Sequence, residues 1–362
     1  MRSMGGSGGL SPRELEYYSR QIVLKEIGYE GQLRLEGARV CLVGVGGLGS
    51  SIATQLAAIG VGYLRLVDRD LVELSNLHRQ HLYDMDHLGY PKVEVAAEKL
   101  RRLNPEVEVE PLPLSVNPAN AREVVEGVDV VVDGLDRMAP RYAVNRACVE
   151  AGTPYVFGSA IMTMGNVSTI LPGETPCLEC FYGNLDDAAL PTCATVGVHP
   201  SIVTLIASIE ASEAVKVILG ERPSLAGILL VCDLRDASFE KIKVERAEGC
   251  PVCGPHPRSE PMPLRMQPVE EVCSREGRRT IILSPRGILR VDMEALQGLL
   301  REKGLEVMKR SRLAVTFKPS EGASATVLSS GVMVVEGFRE AEEARGLYRE
   351  LLVKGLGLQS EV

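Results

Sequence analysis

No run of about eighteen apolar residues occurs in the 362-residue chain, which excludes a hydrophobic membrane-spanning helix on sequence grounds. Met1 to Gly9 is rich in glycine and serine and lacks the apolar stretch of a secretory signal, so a cytoplasmic location is expected. There is no long polar tract and no internal repeat, which sets aside a disordered chain or a solenoid. A net charge of −8 and the lack of a basic tract argue against a polyanion-binding surface, and so against nucleic acid as a partner. The five histidines include no pair at metal-ligand spacing. What is abundant is apolar: 45% of residues are hydrophobic, enough for one large and one small domain.

Ser11-Pro12-Arg13-Glu14 combines an N-cap serine, a first-turn proline and a capping-box glutamate, predicting a helix through Tyr18, Arg20 and Ile22. Ala38 to Val43 reads as a strand, Leu48 to Ile59 as a helix and Tyr63 to Val67 as a second strand. Helix Pro91 to Leu103, strand Val107 to Val109, helix Pro118 to Val125 and the buried strand Val128 to Val132 continue the alternation. The fold class expected is α/β, a Rossmann-like doubly wound, mostly parallel sheet, which strands near Ile228 to Cys232 and Phe239 to Val244 would complete. Pro172 to Gly197 reads as irregular, followed by a helix from about Ser201 to Leu219. Clustered proline and glycine from Gly249 to Pro268 mark a boundary. The expected organisation is a flexible 1–10, a first domain over 11–258, a linker over 259–270 and a small α+β domain over 271–362.

Gly44-x-Gly46-Gly47-x-Gly49 follows a strand and opens a helix, offering a tight turn and backbone amides to a phosphate. Asp68 ends the next strand, at the distance where an acid meets a ribose. Those features alone suit NAD or FAD as well as ATP. Asn76, Arg79, Gln80 and Lys92 then follow within one crossover, and hydride transfer has no need of such a group, whereas a triphosphate needs cations. Asp136, just beyond the strand that ends near Asp133, is placed to hold Mg²⁺ against phosphates.

The motifs Ser19-Arg20-Gln21-Ile22, Gly44 to Gly49, Asp68-Arg69-Asp70, Leu74 to Gln80, Gly89-x-Pro91-Lys92, Asp133-x-x-Asp136 and two Cys-x-x-Cys pairs together resemble the ThiF/MoeB/HesA superfamily. These are adenylyltransferases for sulfur-carrier proteins and the adenylation domains of ubiquitin-activating enzymes; the resemblance covers about Tyr17 to Gly254. It implies an enzyme that adenylates the C-terminal glycine of a small β-grasp protein ending in Gly-Gly, with ATP and Mg²⁺. By the same resemblance Asp68 would hold the ribose, Asn76, Arg79 and Lys92 the phosphates, with Asp70 and Gln80 in the same ATP-binding set, and Asp136 the Mg²⁺. Arg20 would reach the γ-phosphate in a neighbouring subunit, which requires a homodimer. Arg137 stands where the family usually has asparagine.

Cys177-x-x-Cys180 and Cys250-x-x-Cys253 suit either a thiolate metal site or free thiols, and the resemblance favours a structural Zn²⁺ with no open position for catalysis. Cys193 matches a position where family members often carry a reactive cysteine; it is either the acceptor of a carrier thioester or persulfide, or a spare loop thiol. Cys41, Cys148 and Cys232 read as core, and His78, His81, Met162, Met164, Tyr17 and Tyr18 as scaffold, interface or packing.

The C-terminal unit contains no rhodanese-type cysteine loop; it is expected either to be a ubiquitin-like fold that docks a conjugating enzyme or to serve stability alone, and the first option tilts the reading slightly from sulfur transfer to conjugation. Alternatives are a tRNA threonylcarbamoyladenosine dehydratase-like enzyme, a non-catalytic nucleotide-binding scaffold and an NAD oxidoreductase.

Overall fold

A computed structural model describes residues 9–273, 279–360 and 362. The first sheet has eight strands: β1 (Arg39–Val43), β2 (Tyr63–Val67), β3 (Glu108–Leu112), β4 (Val130–Asp133), β5 (Tyr155–Ile161), β6 (Met164–Ile170), β7 (Ile228–Asp233) and β8 (Ser238–Lys243). Their order is β3-β2-β1-β4-β5-β6-β7-β8. The first five are mutually parallel and the last three add as antiparallel hairpins. The doubly wound sheet is thus as expected.

The β1 run Arg39-Val-Cys-Leu-Val43 is apolar on both faces because helices cover both. Val40 and Leu42 enter one core with the helices Gly47–Ile59, Lys92–Leu103 and Pro200–Leu219. Cys41 and Val43 enter the other with Met138–Ala151 and with Cys177, Cys250 and Cys253. Each fully buried aliphatic side chain here contributes about 1.5–3 kcal/mol of transfer free energy. Cys41, Cys148 and Cys232 are buried, as read from sequence.

The N-terminal helix departs from expectation. The Ser11 capping box forms, but the helix Pro12–Tyr17 stops at Tyr18 and a separate turn, Ser19–Ile22, follows. Tyr18 is buried and accepts a hydrogen bond from Asn104 at 2.8 Å, an anchor for the chain at the break between the two. A further helix, Gly28–Gly37, has no counterpart in the sequence reading because its glycines mimic a loop. At Gly31 a Cβ would lie 3.1 Å from Leu219, so the small residue permits close helix contact.

The second sheet comprises β9 (Val269–Cys273), β10 (Arg279–Leu283), β11 (Glu306–Arg310), β12 (Ala314–Lys318), β13 (Ser324–Leu328) and β14 (Met333–Glu336), ordered β11-β12-β13-β14-β10-β9. Every pair is antiparallel. A ubiquitin fold is built around a parallel pair, so that expectation is corrected. The strand β9 also begins inside the expected 259–270 linker. Helices Met293–Glu302 and Ala341–Tyr348 bury Leu296, Leu300, Ala344 and Tyr348 against this sheet. The two units meet where Leu71 packs on Ile282, Ala314, Leu328 and Val332. No helix of the described residues is long and apolar enough to cross a membrane.

Candidate functional site

The chain winds outward from β1 to β3 and then returns to β4 on the other side of β1, opening a crevice at the carboxyl ends of β1, β2 and β4. The glycine loop lies there. Gly44 has φ +89°, and a Cβ on it would fall 2.5 Å from the Gly134 carbonyl. At Gly49 a Cβ would lie 1.9 Å from the Gly44 oxygen, so β1, β4 and the helix Gly47–Ile59 converge only with glycine at both positions. Gly46 precedes that helix without a side-chain cap, which leaves first-turn amides directed into the crevice. Beside Gly46 and Gly47 lie Gln80 Nε2, 3.7 Å from a Gly46 Cβ, and the Arg79 side chain, 3.8 Å from a Gly47 Cβ.

Asp68 accepts from the Val45 amide and the Asp70 amide, each at 2.8 Å. Lys92, the first residue of the helix Lys92–Leu103, donates to Asp70 at 2.8 Å. Burial and then the Asp70 charge push the Asp68 carboxyl up to about 6, against the pull of Lys92. Burial opposes the Lys92 charge, but Asp70 and Asp68 outweigh it and hold the ammonium above its ordinary value. The buried Asn76 accepts from the Glu73 amide at 3.3 Å and fixes the turn that presents Arg79, which donates to the Ser75 carbonyl at 2.9 Å. Gln80 Oε1 is buried without a partner among the described residues.

The other side of the crevice is open. Asp133 is fully buried by Arg141 at 3.0 Å, the Tyr155 hydroxyl at 2.6 Å and the Leu135 amide at 2.7 Å, and so serves the scaffold. Asp136 is exposed and has no hydrogen bond or ion pair among the described residues. Cys193 starts a short helix, Cys193–Val196, capped by Thr192, and its half-buried thiol lies 3.7 Å from the Ala160 carbonyl. Burial, then the Asp136 charge, raise that thiol above its ordinary value, with Arg79 and Arg141 opposing. Asp187, on the same segment, caps the helix Met138–Ala151 through the Met138 and Ala139 amides at 2.6 and 3.0 Å.

Arg20 is not brought to its own crevice. Its neighbour Gln21 donates to the Ile59 carbonyl at the carboxyl end of the helix Gly47–Ile59, whose other end is the glycine loop. Thirteen helical residues span about 20 Å. Arg20 is exposed and has no hydrogen bond or ion pair among the described residues. His78 and His81 are exposed, and Met162 is an exposed turn residue with φ +51°.

Cys177, Cys180, Cys250 and Cys253 gather with all sulfurs within 4.8 Å of one another. Cys177–Cys250 is 3.8 Å and Cys180–Cys253 3.5 Å. A tetrahedron with Zn–S of about 2.3 Å has edges of about 3.8 Å, so the set fits Zn²⁺ with no open position.

Two residues close to the site carried no signal in the sequence reading. Tyr83 is buried and donates to the Val45 carbonyl at 2.7 Å, beneath the glycine loop; an aromatic soon after Gln80 was the only hint. Glu270, remote in sequence, binds Arg69 and Arg137. The departure at Arg137 is therefore tied to the C-terminal unit.

The ThiF family matches residues 18–252. The sulfur carrier protein adenylyltransferase of Thermus thermophilus is 44% identical over 250 residues, covering 67% of this chain and 92% of that protein. The SAMP-activating enzyme E1 of Haloferax volcanii is 43% identical over 246 residues, 68% and 91% of the two chains. The sulfur carrier protein ThiS adenylyltransferase of Bacillus subtilis is 32% identical over 345 residues, 92% and 98%, and so extends through the C-terminal unit. Among solved structures, Escherichia coli MccB with MccA-N7isoASN superposes with a TM-score of 0.60 at 26% identity, over 66% of this chain and 76% of that one. With a ThiF match over most of its length and a glycine-loop crevice at the topological switch point, the chain belongs to the ThiF family and is an ATP-dependent adenylyltransferase.

Proposed function

We propose that this adenylyltransferase activates the C-terminal glycine of a small sulfur-carrier or ubiquitin-like protein. A carboxylate oxygen of the carrier attacks the α-phosphorus of ATP, the bond to the bridging oxygen of pyrophosphate breaks, and a carrier acyl-adenylate results. The observation that carries this reading is the gathering of Arg79, Gln80 and Lys92 around a glycine loop and an acid at the end of β2, a cationic surround suited to a triphosphate. Asp68 would accept from the ribose, the loop amides, Asn76, Arg79 and Lys92 would hold phosphates, and Gln80 Oε1 would gain the partner it lacks. Asp136 suits Mg²⁺, because an exposed carboxylate without protein partners offers hard oxygen ligands. Bound there, Mg²⁺ would offset charge on the phosphates; the protein groups supply position and preorganised donors.

Arg20, about a helix length from its own loop, acts in this reading on the ATP of a second subunit, and the working form is a homodimer. Cys193 is the candidate for a later thioester or persulfide step. The slight tilt toward conjugation is reversed: the relative aligned through the C-terminal unit is named for a sulfur carrier, so that unit no longer speaks for a conjugating enzyme. A sulfur carrier is the favoured substrate.

The test is mass spectrometry of a panel of small β-grasp proteins ending in Gly-Gly after mixing with enzyme and Mg²⁺-ATP. One carrier gaining AMP at its C-terminus is expected. Absence of any adenylate across sulfur carriers and ubiquitin-like proteins alike would overturn the reading.

A further inference from the structure

The C-terminal unit does more than sit beside the first domain: it touches each of three segments that build the crevice. Lys309 of β11 donates to the Leu88 carbonyl at 2.6 Å and lies 4.5 Å over the Tyr90 ring, on the crossover between Gln80 and Lys92. Glu94, two residues after Lys92, accepts from Ser311 at 2.6 Å and from the Arg312 and Leu313 amides at 2.8 and 3.1 Å. Glu270 of β9 takes the Arg69 guanidinium in a two-point bond at 2.5 and 2.9 Å, and also accepts from Arg137.

The positions of these two arginines give Glu270 its meaning. Arg69 stands between Asp68 and Asp70, and Arg137 directly follows Asp136. Arg69 Nε is already 3.9 Å from Asp70, and the Asp136 charge is close enough to stabilise the Arg69 cation. Burial works to raise the Glu270 carboxyl, but the hydrogen bonds and charge of Arg69, with those of Arg137, hold it below its ordinary value, so it is ionised. With a side chain only 13% exposed, Glu270 is an anion largely withdrawn from solvent between two cations. Without it, Arg69 has Asp70, 3.9 Å away, and the Asp136 charge as its alternative partners, while Arg137 has Asp187 at 4.0 Å. Asp70 would be drawn from Lys92, and Asp136 would be occupied by a side chain rather than a metal.

We propose that Glu270 is a positioning residue for nucleotide activation: by holding Arg69 and Arg137 against the C-terminal unit, it keeps Asp136 free for a divalent cation and Asp70 paired with Lys92. The inference rests on the adenylation reading for the identity of that cation. It gives the C-terminal unit a task within the first domain's own site, with no conjugating enzyme required. The arginine at the position after Asp136 then belongs with Glu270 as a matched pair.

The experiment compares the full-length wild type with Glu270→Gln, Glu270→Asp and the double variant Arg69→Gln/Glu270→Gln. ATP affinity is measured by isothermal titration calorimetry over a series of Mg²⁺ concentrations, with thermal unfolding in parallel. Glu270→Gln is expected to raise the Mg²⁺ concentration for half-maximal ATP binding by about tenfold, the effect of one competing charge pair. The double variant is expected to return to within about threefold of wild type, because Arg69, the cation that the Asp136 charge already stabilises, is gone. Glu270→Asp keeps the charge but shortens the reach, and guards against failure of the glutamine variant to fold; about threefold is expected. An unchanged Mg²⁺ dependence in both single variants, with or without a lower melting temperature, would reduce Glu270 to a docking contact and overturn the proposal. Binding is read apart from chemistry: a wild type that binds Mg²⁺-ATP but adenylates no carrier would sink the substrate reading and leave this inference to the titrations.

Discussion

The two sides of the crevice differ in how their charges are settled before any ligand arrives. On the β2 side, Lys92 is paired with Asp70, and Asp68 accepts from the Val45 and Asp70 amides, so each group has a protein partner although Asp70 is half exposed. On the β4 side, Asp136 has no partner among the described residues, and the half-buried Cys193 thiol carries a value raised by burial and by that same carboxylate. A paired side is preorganised, and its removal disturbs the fold. An open side waits for ligand, and its removal disturbs only chemistry. The difference separates stability from activity at residues of one crevice.

The largest break comes from the paired side. Lys92→Ala is expected to lower carrier adenylation at least about a hundredfold and to cost about 2 kcal/mol in denaturant unfolding, less than a fully buried pair because Asp70 is half exposed. Asp136→Ala is expected to lower turnover about a hundredfold while leaving unfolding within about 0.5 kcal/mol of wild type. Equal stability losses in these two variants would erase the contrast. Loss of the knuckle acts on both sides through the fold: Cys250→Ser is expected to abolish stoichiometric zinc by elemental analysis and to lower the melting temperature by several degrees.

A smaller effect sharpens the comparison through pH. Asp68 is raised in the folded protein to about 6 from an ordinary 3.8. The folded state therefore binds this proton more tightly than the unfolded chain, so the group's contribution to stability is present in acid and falls as pH rises toward about 6. In its proposed role at the ribose Asp68 acts in the ionised form, so ATP affinity should move oppositely, weakening below about pH 6 by up to about tenfold per unit. Calorimetric titration from pH 5 to 8 with Asp68→Asn as control tests this. Smallest is the thiol: Cys193 should react with iodoacetamide more slowly than a free cysteine at neutral pH and faster in Asp136→Ala, followed by peptide mass mapping.

Elements whose physics is local were legible in the sequence. The apolar β1 run, the glycine loop after it and Asp68 at the end of β2 follow from pattern and turn chemistry alone, and the structure gathers Arg79, Gln80 and Lys92 around that loop. What escaped depends on partners distant in the chain. Helix Gly28–Gly37 owes its existence to packing on Leu219, which no local propensity reports, and Tyr18 leaves the helix for a bond to Asn104. The edge strands β9 and β11 lack strong alternation because one face meets the first domain through Glu270 and Lys309. Glu270 itself is an ordinary acid in the sequence; its place beside Arg69 and Arg137 exists only once the second sheet has docked.

The most direct test of the central claim is ATP–pyrophosphate exchange with wild type and Asp136→Ala, each with and without a sulfur carrier ending in Gly-Gly, alongside their unfolding curves. The account predicts exchange in wild type only when the carrier is present, and its collapse in the variant with an unchanged unfolding curve. Carrier-independent exchange, or exchange that survives in Asp136→Ala, would contradict it.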